Sequence, residues 1–337
     1  MRLRSIFGVC AVALVLILGM FGKAQAQTGD YKISAAYSYK NLTIFLIHGK
    51  NESSKENILT LQEAMEKKIF VVYETSNVNE LAVENLSKEF DVFIQSGDIV
   101  KGGKQDRVLA VSIIIPARSG RVLIQAFCVE SGRWQKRGDE EAGKFSSSNE
   151  RVVTKDLKIA ANKSRSQQEV WKEVSEAQDK LSQNVGGSVN SEASGTSLQL
   201  SLENKKVVAT IDEYVKKLSQ ITEGKSDVIG YAFAINGEIN SADIYVSNAL
   251  FKKLWMKMLK ATATEAVAEF NEKKISGEVK AETVKTFLTD AEKGKTEEQT
   301  VTNRMKVVSR EDKDNIVFEA RDEKEKVTIH KSYVRKP

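Results

Sequence analysis

Residues 228–246 read VIGYAFAINGEINSADIYV. Val228 to Ile235 is apolar throughout, the pattern of a strand covered on both faces. Asn236-Gly237 is a favoured two-residue hairpin turn, because both central positions of a type I′ turn need positive φ. Ile239 to Val246 returns along the first arm. An antiparallel pair in the middle of the core is therefore the first element to place, and the rest of the chain is read outward from it.

Downstream, a long helix is expected from about Asn248 to Phe270. Leu250, Phe251, Leu254, Trp255, Met258, Leu259, Val267 and Phe270 form its apolar face, at the spacing of a core stripe rather than a cofactor box. A shorter helix near 280–292 and three strands, at 301–309, 315–321 and 326–333, complete a C-terminal antiparallel meander. Upstream, Val207, Val208, Ile211, Tyr214, Val215, Leu218 and Ile221 mark an amphipathic helix. Another follows the capping-box pattern Ser166-Gln167-Gln168-Glu169, with Val170, Trp171, Val174, Ala177 and Leu181 on its apolar side. Between the two, residues 183–201 (QNVGGSVNSEASGTSLQLS) are small and polar, as in a flexible loop or linker.

The N-terminal third is mostly β. Leu42 to Ile47 reads as a buried strand, and Ile58 to Lys68 has helical spacing with Lys67 and Lys68 at its C-terminal end. Strands follow at 70–73, 91–95, 108–115 and 122–129, with Pro116 and Ser119-Gly120 as breaks. The fold class is α+β: a β-rich N-terminal half with packed helices, the Asn-Gly hairpin and the meander. Residues 27–337 are expected to form one large domain, the alternative being a split into two subdomains at 183–201. The composition, 41% hydrophobic and 29% charged, suits a globular chain. Proline occurs only at Pro116 and Pro337, which excludes a proline-rich stalk.

The first 26 residues carry a different message. Arg2 and Arg4 precede an apolar run from Ile6 to Phe21, and Ala24-Gln25-Ala26 supplies a small-x-small cleavage pattern before Gln27. The run is short for a membrane span, so a cleaved signal peptide is expected rather than an anchor. Cys10 lies inside the run rather than after it, which argues against a lipid anchor. No later segment is apolar for long enough to span a bilayer. The mature protein is thus expected in the periplasm or outside the cell. Its net charge falls from +5 to 5 − 3 = +2, because residues 1–26 hold Arg2, Arg4, Lys23 and no acid. So small a charge gives no electrostatic case for nucleic acid. Cys128 is the one cysteine left, so no internal disulfide is expected and a core must hold the fold.

The densest local signal is residues 96–107, SGDIVKGGKQDR. Gly97, Gly102 and Gly103 let backbone N–H groups approach a ligand. Lys101, Lys104 and Arg107 add charge that suits phosphate or carboxylate. The pattern is neither a Walker A loop nor a dinucleotide fingerprint, and a tight turn with solvated lysines fits the composition too. Asp98 and Asp106 flank the loop and Glu130 lies on a later strand. Carboxylates so placed either share acid–base work or bind a divalent metal, or are ordinary turn and ion-pair groups. Trp134, beside Gly132 and Arg133, either stacks on a ring of the ligand or covers a sheet edge. Cys128 sits in an apolar run, as an inert buried thiol does. His48 and His330 are the only histidines, with no ligand spacing around them. Neither a metal site nor a cofactor is expected, and both read as surface or satisfied histidines. No G-x-S-x-G elbow is present.

Residues 94–107 (IQSGDIVKGGKQDR), 127–134 (FCVESGRW) and 230–237 (GYAFAING) together resemble the ARG and rhodanese-phosphatase-superfamily-associated protein domain, in which ARG denotes ADP-ribosylglycohydrolase. The resemblance would cover nearly all of the mature chain. It implies an α+β domain associated with hydrolases of ADP-ribose and of phosphate esters, without assigning an activity. Three functions remain open on the sequence. The first is an exported binding or accessory protein holding an anionic small molecule or a protein partner at 96–107. The second is a hydrolase using Asp98, Asp106 and Glu130 on a phosphate- or ADP-ribose-containing substrate. The third is a structural envelope-assembly protein. Expression of the full chain in a bacterial host is expected to give, by intact mass, a mature species beginning at Gln27; a product retaining Met1 would contradict cleavage.

Overall fold

In the computed structural model, which describes residues 31–337 apart from 54–56, 152–153 and 276, the hairpin at 228–246 lies inside a large antiparallel sheet. The expected signal segment lies outside the described residues. Asn236 and Gly237 take positive φ, 54° and 84°, as the turn requires. Tyr231 pairs with Asp243 and Ala232 with Ala242 across the two arms. On one side Val228–Ile235 pairs with Leu42–His48, whose neighbours are Lys32–Ile33 and Tyr37–Tyr39. On the other side Glu238–Tyr245 pairs with Val327–Arg335. Asn315–Asp322 and Met305–Glu311 complete the expected meander, and Lys295–Thr300 adds an edge strand that the sequence does not predict. Among the described residues this sheet has nine strands.

The two faces of Val228–Ile235 are both dry but differ in size. Tyr231 and Phe233 point to the helix Asn248–Ala268, where the Tyr231 ring meets Trp255 edge-on at 5.6 Å. Ala232 and Ala234, with Ala242 on the neighbouring strand, face the shorter helix Ala281–Ala291 through Val284, Phe287 and Leu288. Small residues let that helix approach closely. The long helix starts at the Ser247 cap and is buried almost all round from Met258 to Ala268, since Lys205–Leu218 and Gln167–Asn184 also pack on it. It ends two residues earlier than the periodicity predicts, and Phe270 is exposed beyond it.

The N-terminal half adds two smaller sheets. One runs Phe145–Arg151, Asp98–Gly102, Arg107–Leu109, Arg121–Cys128, Glu80–Asn85, Phe70–Glu74. The other is Ile113–Ile115, Asp91–Ile94 and Ile58–Thr60, the last pair parallel. Two readings change here. Ile58–Thr60 is a strand, and the helix begins only at Leu61 behind the Thr60 capping box. The apolar run 108–115 is two strands in different sheets, with the chain crossing between them at 110–112. Lys295–Thr300 is an exposed edge strand of sequence KTEEQT, with no apolar alternation to betray it. Within 183–201, Ser197 caps a short helix Leu198–Leu202, and Val189, Ser197 and Leu198 are buried. Val174 before this segment and Val207 after it belong to one cluster of buried apolar side chains. No helix of the described residues is long and apolar enough to cross a membrane.

Gly230 marks the tightest approach in the central sheet. A Cβ there would lie 2.3 Å from the Asp243 carbonyl oxygen and 2.9 Å from Ile244 Cα, both backbone atoms that cannot swing away. Gly230→Ala is therefore expected to cost about 1–3 kcal/mol by forced strand displacement. Urea unfolding would show it as a lowered midpoint, and an unchanged midpoint would mean that the strands part freely here.

Candidate functional site

The loop singled out by sequence is a densely paired ionic cluster, in which Arg107 Nε is buried without an acceptor. Arg107 is fully buried; its guanidinium donates to the Val78 carbonyl at 2.7 Å and to both Glu74 oxygens at 3.3 Å. Asp106 accepts from the Gly102 N–H, the Ser197 hydroxyl and both terminal nitrogens of Arg137, at 2.8–3.0 Å. Glu130 accepts a two-pronged bond from Arg133, 2.7 Å on each arm, and the Asp106 N–H at 3.1 Å. Burial pushes the Glu130 carboxyl up, but the Arg133 guanidinium and the other donors hold it below its ordinary value. Lys101 is bound by both oxygens of Glu203, and Lys104 donates to Ser76. Asp98 turns away from the other two carboxylates, pairing with Lys257 at 2.9 Å and accepting the Gln95 N–H. Trp134 is exposed, with the Lys104 and Arg107 charges 5.0 and 5.7 Å from its ring centre.

The glycines of the loop have a packing reason. Gly102 and Gly103 have φ of 112° and 57°, and a Cβ on Gly103 would strike the Phe145 ring at 2.4 Å. The structure thus joins Asp106 with Glu130, and Arg107 with Trp134, and leaves Asp98 and Lys101 apart from them. Cys128 is buried at the same sheet, and burial pushes its thiol up to about 11, out of reach of a thiolate role. Among the described residues no group of three or more His, Cys, Asp and Glu is placed to hold a metal ion.

A second place is built differently. A cavity of about 610 Å³ lies between the meander and the N-terminal half, with Ser96, Ser112, Arg151, Lys158, Asn162 and His330 among its lining residues. Tyr245 and His330 are register partners, so Asp243, two residues from Tyr245, shares their face of the sheet. His330 Nε2 lies 2.9 Å from Asp243 Oδ1. His330 Nδ1 lies 3.0 Å from Ser112 Oγ, which also accepts the Ser96 N–H at 3.0 Å. The Tyr245 ring stacks on the imidazole at 4.8 Å, and its hydroxyl is bonded to Gln95.

The electrostatics set the tautomer. Burial pushes the Asp243 carboxyl up, but the hydrogen bond to His330 and the nearby Lys158 and Arg151 cations outweigh it and hold the pKa at about 2. A carboxylate only accepts, so Nε2 carries the proton and Nδ1 is left to accept from the Ser112 hydroxyl. This is the serine–histidine–aspartate relation, with the two ring nitrogens in exchanged roles relative to chymotrypsin-like enzymes.

The rim is irregular. Lys158 comes from the short helix Lys155–Ile159, which runs into a π-helical turn, Ala160–Ser164, closed by Arg165 N–H to the Ala160 carbonyl at 3.0 Å. Arg165 itself sits at φ 51°, left-handed for a residue with a side chain. Such turns and such strain gather at functional sites. Asn162 accepts from the Ser96 hydroxyl and donates to the Lys158 carbonyl.

None of Ser112, Asp243 and Arg151 is singled out by the sequence reading, and His330 is set aside there as a satisfied histidine. The readable signal was an acid in mid-strand among apolar neighbours, Ala242-Asp243-Ile244, and a lone histidine in a strand of the same meander. Ser112 had none, because the run around it reads as one strand.

A family model described as the ARG and Rhodanese-Phosphatase-superfamily-associated Protein domain matches residues 30–334. No curated protein and no solved structure matches the chain.

The depressed Asp243 value has a sign that can be tested. A group held below its unfolded pKa adds stability that is present above that value and is lost as pH falls through the folded one, here from about 4 towards 2. Asp243→Asn is expected to flatten this part of the stability–pH curve relative to the parent, by on the order of 2 kcal/mol. Equal slopes for the two proteins in acid-titrated urea melts would remove Asp243 from the ionised state assigned to it.

Proposed function

The chain belongs to the ARG and Rhodanese-Phosphatase-superfamily-associated Protein domain family, and we propose that it is a hydrolase with Ser112 as nucleophile, His330 as general base and Asp243 as the group that orients and steadies the imidazole. The observation that carries this is the hydrogen-bond chain from Ser112 to His330 to Asp243 at the wall of a cavity large enough for a small molecule. In the reaction, Ser112 Oγ bonds to the electrophilic atom of an ester as its proton passes to His330 Nδ1. The alcohol leaves with that proton, and water then cleaves the Ser112 ester by the reverse transfers. The cysteine and the ionic loop take no part. The loop's cations are held by carboxylates, a hydroxyl and carbonyls, which moves the expected binding site from residues 96–107 to the cavity. We propose further that this hydrolase acts outside the cytoplasm, on the strength of the arginines, apolar run and small-x-small pattern of residues 1–26.

A fluorophosphonate probe tests the assignment, since attack by an activated serine displaces fluoride and leaves a stable phosphonyl ester. Labelling is expected at Ser112 by peptide mass, absent in Ser112→Ala, and slowed by about 10²–10⁴-fold in His330→Gln. Absence of labelling in the folded protein, or labelling that persists in Ser112→Ala, would return the protein to the class of exported binding or accessory proteins.

A further inference from the structure

We propose that this cavity binds an oxyanion group of the substrate, a phosphate or a carboxylate, at Arg151 and Lys158, which both line it. The inference rests on the reading of this cavity as the substrate site and adds the substrate class to it. Arg151 and Lys158 are 4% and 9% exposed, so both charges have largely left bulk water. A buried cation needs a counter-charge or a full set of acceptors. Arg151 has neither: Nη2 donates to the Ser96 carbonyl at 2.6 Å, Nη1 meets the Met258 sulfur at 2.9 Å, and Nε is buried without an acceptor. Lys158 Nζ has no hydrogen-bond acceptor among the described residues, and the centre of the Phe233 ring lies 5.6 Å from it. Among the described residues no carboxylate lies within 4 Å of either cation. The other cavity cations differ in being exposed: Lys163 pairs with Glu311, Lys295 with Glu297, and Arg165 is hydrogen-bonded to Gln299.

The nearby carboxylates are only partly engaged and do not reach the pair. Asp243 Oδ1 accepts from His330, and Glu265 Oε1 accepts from the Lys155 N–H at 2.7 Å and from Asn240 at 3.0 Å, while Asp243 Oδ2 and Glu265 Oε2 are buried without a hydrogen-bond partner. Burial also pushes the Glu265 carboxyl up, which weakens it as a counter-ion. Asp243 acts on the two cations only through space, so the contact partner they lack is an anion from outside, in the cavity that Ser112 and His330 also line. A planar guanidinium and an ammonium lining one cavity make a donor set that suits a phosphate or carboxylate, with fixed direction from one and charge from the other.

The test is thermal unfolding of the purified protein titrated with sodium phosphate and, separately, sodium acetate, with chloride holding the ionic strength constant. The proposal expects a saturable rise in Tm with at least one of them. The anion that produces it tells a phosphate ester from a carboxylate. Ser112→Ala is expected to keep the midpoint of that titration, Lys158→Arg to keep the response, and Lys158→Met to weaken it about tenfold or more, the worth of one charge-assisted hydrogen bond. Lys158→Gln replaces Lys158→Met if the latter does not fold. No saturable shift with either anion, or an equal shift in the neutral variants, overturns the proposal. The two readings fail separately. Anion binding without serine labelling sinks the hydrolase alone, and labelling without anion binding sinks the oxyanion site alone.

Discussion

The strand Val228–Ile235 has to be dry on both faces, and the rest of the molecule is arranged around that demand. One face carries Tyr231 and Phe233 and requires a deep apolar layer, which the helix Asn248–Ala268 and its aromatic residues provide. The other face is shaved to alanine and receives a single helix. Gly230 lets the neighbouring backbone come close enough to complete the ladder. A strand so covered can hold no charge, so polar groups begin only on the next strands out, at Asp243 and His330.

That displacement of polarity gives the cavity its place. Asp243, Tyr245, His330 and Ser332 lie on the face that the long helix covers nearer the sheet's centre. Beyond the helix the N-terminal half takes over as cover, through Ser96, Ser112, Arg151 and the turn at 155–164. The fit leaves a space of about 610 Å³. Ser112 reaches the imidazole because the chain is there passing from one small sheet to another, with its backbone in neither ladder. The constellation therefore depends on docking of the two halves: the acid and base come from the C-terminal sheet and the hydroxyl from the N-terminal half.

Much of the architecture was legible because it is periodic. The hairpin, the long helix, the helix Gln167–Asn184 and the meander all carry strong alternation or helical spacing, and the fold class followed from them. Three local features were not legible. Ile58–Thr60 has apolar residues that suit the first turn of a helix equally, and its pairing with a strand more than thirty residues away decides the matter. Residues 108–115 are apolar but for Ser112, and a single serine between β-branched residues does not mark the sheet change at 110–112. Lys295–Thr300 has no buried residue to give it a phase. The candidate site was harder still, since Ser112, Asp243 and His330 come from three distant parts of the chain and share no motif spacing. Local density of glycine and lysine pointed to 96–107 instead, where the chain uses those residues to turn and to pair.

The two charged regions use the same residue types to opposite effect. At the loop, Arg107, Arg133 and Arg137 are desolvated against Glu74, Glu130 and Asp106, with short bonds and with Gly102, Ser197 and Asp106 backbone or hydroxyl donors filling the remaining lone pairs. The desolvation of each charge is offset by its partners, and the cluster ties 102–107 to 130–140 and to the cap of Leu198–Leu202. At the cavity, Arg151 and Lys158 are equally desolvated and are offset by a carbonyl, a thioether and a ring. Buried charge in contact with a carboxylate is scaffolding. Buried charge that lacks one, held beside a serine hydroxyl and a histidine, stores an electrostatic demand that a bound anion would meet. Composition cannot separate the two cases, because the difference lies in which acid folds next to which base.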